Sequence, residues 1–187
     1  MKLERPALIL IDIQKGFEDE DYWGGHRNNP EAEQRAGELL RIWRKHNLPV
    51  FHVQHCSTHP HSPLVEGKPG HELQEVVTPG KDETLIKKKA NSAFIGTDLE
   101  QRLRHAGIRQ LVIAGLTTDH CVSTTVRMAG NLGFDTYLVE DATATFDKTG
   151  PNGKKYSAEI IHDTTLASLH GEFCTVVDAR AVCKQLT

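Results

Sequence analysis

QLVIAGLTTDHCVSTTVRMAGNLG (residues 110–133) changes character halfway along. Residues 110–115 form a short apolar run, as expected of a strand covered on both faces. The remainder reads as a helix that stops at Gly133, with Thr118 and Asp119 as candidate caps. A strand that runs directly into a helix is the repeating unit of a parallel sheet. Cys121 lies at the joint, in the first turn of that helix. Two readings are open: a buried thiol packed between strand and helix, or a nucleophile. The unpaired N–H groups and macrodipole of a helix start favour a thiolate, which is the reactive form of cysteine.

The same alternation extends in both directions. ALILIDI (7–13) is a nearly continuous apolar strand, and residues 28–47 follow as a helix. Asn29 is its expected N-cap, Pro30 suits its first turn, and Ala32, Ala36, Leu39, Leu40 and Trp43 form its apolar stripe. PVFHVQH (49–55) and TLIKK (84–88) are the second and third strands. A helix over 97–107 opens on a capping box, Thr97 with Glu100, and closes at Gly107. DTYLVED (135–141) is the fifth strand, and Ser157 and Gly171 bracket another helix. FCTVVD (173–178) and ARAVCKQL (179–186) supply the last strand and helix. The fold class is α/β: a single domain over 1–187, in three α-β-α layers around a six-stranded parallel sheet, with right-handed crossovers. Ligands in such sheets bind beyond the carboxyl ends of the strands. Two long polar segments, 56–83 and 142–156, interrupt the rhythm, and the first reads as a wall or lid over the site.

Composition excludes several classes. With 187 residues, a net charge of -3 and no long basic run, the chain has no nucleic-acid footprint. Its apolar stretches are too short to cross a bilayer, and MKLERPALIL lacks a cleavable signal pattern, so a cytoplasmic location is expected. Cys56, Cys121, Cys174 and Cys183 form no C-x-x-C pair and are expected as free thiols. Cys174 and Cys183 read as small core hydrophobes.

Other residues could serve chemistry. Asp12 ends the first apolar strand, as a strand-end cap or as a catalytic carboxylate. Lys88 follows the third strand; near Asp12 and Cys121 it would keep the first ionised and the second a thiolate. No G-x-G-x-x-G follows the first strand, so a dinucleotide site is not expected. His52, His55, His59 and His61 lack the spacing of a helical zinc site, and neither a metal nor any other cofactor is expected. Gln14, Phe17 and Trp23, with His52, His55 and His120, are the candidate substrate-binding residues.

LILIDIQKGF, KKKANSAFIGTDLEQRL and LVIAGLTTDHCVSTTVRMAGNLGF, in this order, resemble the isochorismatase-like cysteine hydrolase family. The resemblance implies a sheet order of 3-2-1-4-5-6, which makes the strands ending at Asp12 and near Cys121 neighbours at the switch point. It implies a catalytic triad of Asp12, Lys88 and Cys121, a cis peptide at Leu116–Thr117, and an oxyanion hole formed by the N–H groups of Thr117 and Cys121. It also implies a homodimer or homotetramer acting on a small-molecule substrate. Family members that hydrolyse nicotinamide carry a metal-binding Asp-x-His after the second strand, and VFHVQHCSTHPHS has no Asp there.

The expected reaction is cleavage of a C–N bond in a small amide, ureido or carbamoyl compound through a thioester. The alternatives are a vinyl ether hydrolase, a non-catalytic small-molecule binding protein on the same scaffold, and a thiol redox protein, which would want a second cysteine beside Cys121.

Overall fold

The structure, a computed structural model, describes residues 2–186. Its elements, in chain order, are β1 (Ala7–Ile11), α1 (Glu20–Trp23), α2 (Ala32–Lys45), β2 (Val50–His55), β3 (Thr84–Lys88), α3 (Leu99–His105), β4 (Gln110–Leu116), α4 (Ser123–Asn131), β5 (Asp135–Ala144), β6 (Lys148–Thr149), β7 (Lys155–Tyr156), α5 (Ala158–Leu169), β8 (Thr175–Val177) and α6 (Ala179–Leu186). The main sheet runs β3-β2-β1-β4-β5-β8 and every pairing in it is parallel. The expected order therefore holds. The sixth sheet strand is β8 in chain order because a small antiparallel hairpin, β6 with β7, occupies the 142–156 segment.

Alternation along β1 builds the layers. Ala7, Ile9 and Ile11 face one side, with Leu103, Val122, Val126 and Leu169. Leu8 and Leu10 face the other, with Leu39, Leu40 and Trp43 of α2 and Val182 of α6. Successive strand side chains point to opposite faces, so a strand that is apolar throughout must be covered on both.

Several local expectations change. Asn29 does not cap α2 with its side chain. Its backbone is left-handed at φ 44, and its amide donates to the carbonyls of Glu140 and Thr143, tying the loop to β5. The Thr97–Glu100 capping box does not form. Thr97 accepts from the Leu99 N–H and donates to the Ala93 carbonyl, while the Glu100 carboxylate is taken by Arg104. Ser157 does cap α5, accepting from the Ile160 N–H. β5 is longer than its apolar run, because after a register shift Thr143 and Ala144 still pair with Gly115 and Leu116. Among the described residues no helix is long and apolar enough to cross a membrane.

The sheet is tightest at its centre. Gly115 holds φ +131, and a Cβ there would overlap the backbone of Ile11 on β1. Any side chain would push apart the two strands whose ends carry Asp12 and Cys121. Gly115→Ala is expected to destabilise the fold by about 2 kcal/mol or more, read as a lower midpoint in urea unfolding.

Candidate active site

The carboxyl edge of the sheet brings Asp12, Lys88 and Cys121 together. Asp12 follows β1 and is held by its own N–H, which donates to the Val53 carbonyl at 2.9 Å. Lys88 ends β3, two strands away, and its side chain reaches across the end of β2. The side chains of Lys88 and Asp12 are both 0% exposed, and Nζ lies 2.6 Å from Asp12 Oδ2. Nζ also donates to Cys121 Sγ at 3.2 Å. Cys121, at 9%, is the least covered of the three residues.

A third acceptor completes the set. His55 ends β2 and is the register partner of Lys88, so the strand order places it between β3 and β1. Its Nδ1 lies 3.1 Å from Nζ. An ammonium has three N–H donors and no acceptor, so here each donor has a partner: carboxylate, thiol and imidazole. Nδ1 must therefore carry a lone pair, which puts the ring proton on Nε2. Burial, and then the Lys88 charge, pushes the His55 pKa down to about 4, so the ring is neutral. A carboxylate oxygen of Asp12, a ring nitrogen of His55 and Cys121 Sγ all lie within 4.8 Å of one another. These are the donors a cation would want, and the cation they surround is Lys88.

The thiol is not the pre-formed thiolate expected from its place in the chain. Burial, and then the Asp12 carboxylate, pushes the Cys121 pKa up, and this outweighs the pull of Lys88. The chain enters α4 through a single π-helical turn, Thr118–Val122, which carries Cys121. Burial likewise raises Asp12, although Lys88 opposes the rise. With Lys88 charged, the site is neutral overall when Asp12 and Cys121 share one proton. Among the described residues Asp12 Oδ1 is buried without a hydrogen-bond partner, so it is the oxygen open to that proton.

The Leu116–Thr117 peptide is cis. The Thr117 carbonyl accepts from the N–H groups of His120 and Val122, both at 3.2 Å. Among the described residues the Thr117 N–H has no acceptor, and the Cys121 N–H, between those two donors, has none outside its own turn. Asn91, which the sequence reading did not single out, brings Oδ1 to 4.0 Å from Sγ. It lies three residues beyond Lys88, on the exposed stretch leaving β3.

The residues expected to bind substrate fall into different roles. Gln14 is fully buried, and its amide is spent on backbone. Oε1 accepts from the His55 N–H, and Nε2 donates to the carbonyls of His55 and His71. It is a clasp that holds His55 in register, not a substrate contact. His52 is not at the site: it lies on the α2 face and bonds Glu83 at 2.7 Å, and Glu83 also binds Arg44. Alternation along β2 puts its ring on the Val50 side, away from the face that holds Val53. Phe17 and Trp23 stack with Phe146, with Phe17 and Trp23 centroids 4.6 Å apart, and this cluster packs on Leu116. It forms an apolar wall behind the cis peptide. His120 is exposed, 3.4 Å from Asp119, which also faces Lys148 and Thr145. His59 and His61 are exposed and meet edge-on, so the four histidines do not gather.

The segment 56–83 is a wall. Gln14 pairs with Leu73 in an isolated bridge, Gln54 adds a second donor to the His71 carbonyl, and Cys56 Sγ lies 3.3 Å from His71 Nε2. Among the described residues no cysteine forms a disulfide.

An isochorismatase domain model matches residues 6–181. The chain belongs to the isochorismatase family. It is 47% identical over 174 residues to the isochorismatase family protein YrdC of Bacillus subtilis (strain 168), covering 93% of this chain and 92% of that one. The crystal structure of an isochorismatase-family protein from Chromobacterium violaceum ATCC 12472 superposes with a TM-score of 0.95 at 45% identity, covering 100% of this chain and 96% of the other. Nicotinamidase 3 of Arabidopsis thaliana is 31% identical over 198 residues, covering 96% of this chain and 88% of its own. The structure of N-carbamoylsarcosine amidase from Thermoplasma acidophilum matches at a TM-score of 0.73 and 25% identity, over 96% of this chain and 97% of that one. Members of the isochorismatase family are hydrolases, and amidases are among them.

For this isochorismatase-family chain the clasp role of Gln14 has a direct test. Gln14→Met leaves the His55 N–H and carbonyl without their Gln14 partners in the interior, while the His71 carbonyl keeps Gln54, and is expected to lower folding stability by roughly 2–3 kcal/mol. Thermal and urea unfolding read that loss. A residue that only touched substrate would leave both midpoints unmoved.

Proposed function

We propose that the protein hydrolyses a C–N bond in a small amide, ureido or carbamoyl substrate through a thioester on Cys121. The observation that carries this reading is the Lys88 ammonium bonded at once to Asp12 Oδ2 and Cys121 Sγ. Such a link lets a proton pass between carboxylate and thiol without changing the charge of the enclosed site. The amidases among the relatives, nicotinamidase 3 and N-carbamoylsarcosine amidase, support C–N cleavage over the vinyl ether alternative.

Asp12 takes the thiol proton as Sγ attacks the substrate carbonyl carbon. The carbonyl electron pair moves to oxygen, which the N–H groups of Thr117 and Cys121 receive. Asp12 returns its proton to the leaving nitrogen as the C–N bond breaks, and a thioester remains. Water then attacks the thioester with Asp12 as base, the acid departs, and the proton returns to sulfur. Lys88 stays cationic throughout and favours whichever partner is the anion.

A panel of small amides, ureas and carbamoyl compounds, read by intact mass for an acyl adduct on Cys121, tests the reading. One substrate is expected to turn over, and Cys121→Ala to lose at least about a thousandfold in kcat. Full activity in Cys121→Ala would rule out covalent catalysis.

The pH profile follows from the raised values of both partners. As pH falls, Asp12 gains a proton earlier than an ordinary aspartate, which does so near 3.8, and can no longer accept one from sulfur. Activity on the acid side is expected to fall at a higher pH than that value. No rise is expected near 9.0, the ordinary thiol value, because Cys121 does not ionise there. A profile of kcat/KM against pH checks both limbs, and an ascent centred on 9 would contradict the shared proton.

A further inference from the structure

We propose that His55 is a positioning residue: its neutral Nδ1 holds the Lys88 ammonium in the orientation that serves Asp12 and Cys121 together. The inference rests on Cys121 being the reactive thiol.

The geometry behind it is a count of protons and lone pairs. Nζ has three N–H groups, and its acceptors lie at 2.6 Å, 3.1 Å and 3.2 Å. The carboxylate is the strongest of them and the sulfur the weakest. Without the imidazole, one N–H would point at an apolar group or an empty space inside the protein. The ammonium would then rotate toward Asp12 and let the long sulfur bond go. The thiol would lose the one cation that stabilises its anion.

The surroundings permit a single protonation state for this ring. Lys88 faces it from β3, Asp12 from the end of β1, Cys121 from the turn after β4 and His71 from the wall segment, with the Ala90 carbonyl at its other side. The Lys88 charge opposes a proton on Nδ1, and the hydrogen bond to the Ala90 backbone suits a proton on Nε2. The Gln14 amide grips the His55 backbone at both its N–H and its carbonyl, so the ring cannot drift from Lys88.

The test compares His55→Asn, which places an amide oxygen close to Nδ1, with His55→Leu, which removes the acceptor and keeps bulk. Lys88→Met is the reference for complete loss. The rate of Cys121 alkylation by iodoacetamide is followed from pH 5 to 10 by peptide mass, with folding checked by circular dichroism. His55→Asn is expected to stay within about threefold of the native rate. His55→Leu is expected to slow tenfold or more toward the Lys88→Met value. Should the leucine variant not fold, His55→Ala takes its place. Nitrogen-15 NMR of the native ring is expected to show the Nε2–H tautomer, with no titration near 6.5 and protonation only around pH 4. Native-like alkylation in His55→Leu, an asparagine variant as slow as the leucine one, or a ring that titrates near 6.5 would each overturn the proposal. Amide turnover is a separate readout. An alkylation pattern as expected with no amide hydrolysed would leave His55 in this role and remove the hydrolytic reading.

Discussion

A fully enclosed ammonium is the constraint on which the rest of this structure depends. Moving such an ion out of water costs on the order of 20 kcal/mol in the idealised limit, and several kcal/mol even after relaxation. Lys88 is tolerated only because its three donors meet three acceptors, one of them a carboxylate of opposite charge. Each acceptor is in turn constrained by the ammonium. Asp12 supplies the compensating charge, His55 stays neutral with its lone pair inward, and Cys121 lies beside the ammonium, a cation placed to stabilise a thiolate there.

Little of that precision comes from these side chains themselves. Gln14 spends its whole amide on the backbone of His55 and His71, so the wall segment and the end of β2 are locked to the loop after β1. Gly115 lets β4 approach β1 closely enough to bring the turn carrying Cys121 over Asp12. Phe17, Trp23 and Phe146 close the apolar side, against Leu116. A chemical site of four side chains thus rests on a shell of buried amides, a glycine and stacked rings, none of which needs to touch the reacting atoms.

The electrostatics of the site differ from the common picture of an activated cysteine. A lowered thiol pKa needs net positive surroundings or good hydration. Here burial removes the water, and Asp12 cancels the lysine charge, so the proton stays within the pair. In the proposed reaction the nucleophile forms when the carboxylate takes that proton, which makes the base as essential as the sulfur.

Sequence alone determined the fold class and the elements that matter most. Strands buried on both faces are largely apolar, and that signal is local, so β1 and β4 and the helices that follow them could be read directly. The ends of β1, β3 and β4 marked Asp12, Lys88 and Cys121, and the family resemblance singled them out from their neighbours. Tertiary structure alone decided what their surroundings do. Gln14 and His52 both looked like pocket residues, but one became a backbone clasp and the other turned to Glu83 on the opposite face, because the direction of a strand side chain depends on register and partners. His55 was one histidine among several until parallel pairing put it between Lys88 and Asp12. The state of the thiol was likewise beyond the chain's own pattern, since a helix start favours the anion but desolvation is set by everything that packs around it.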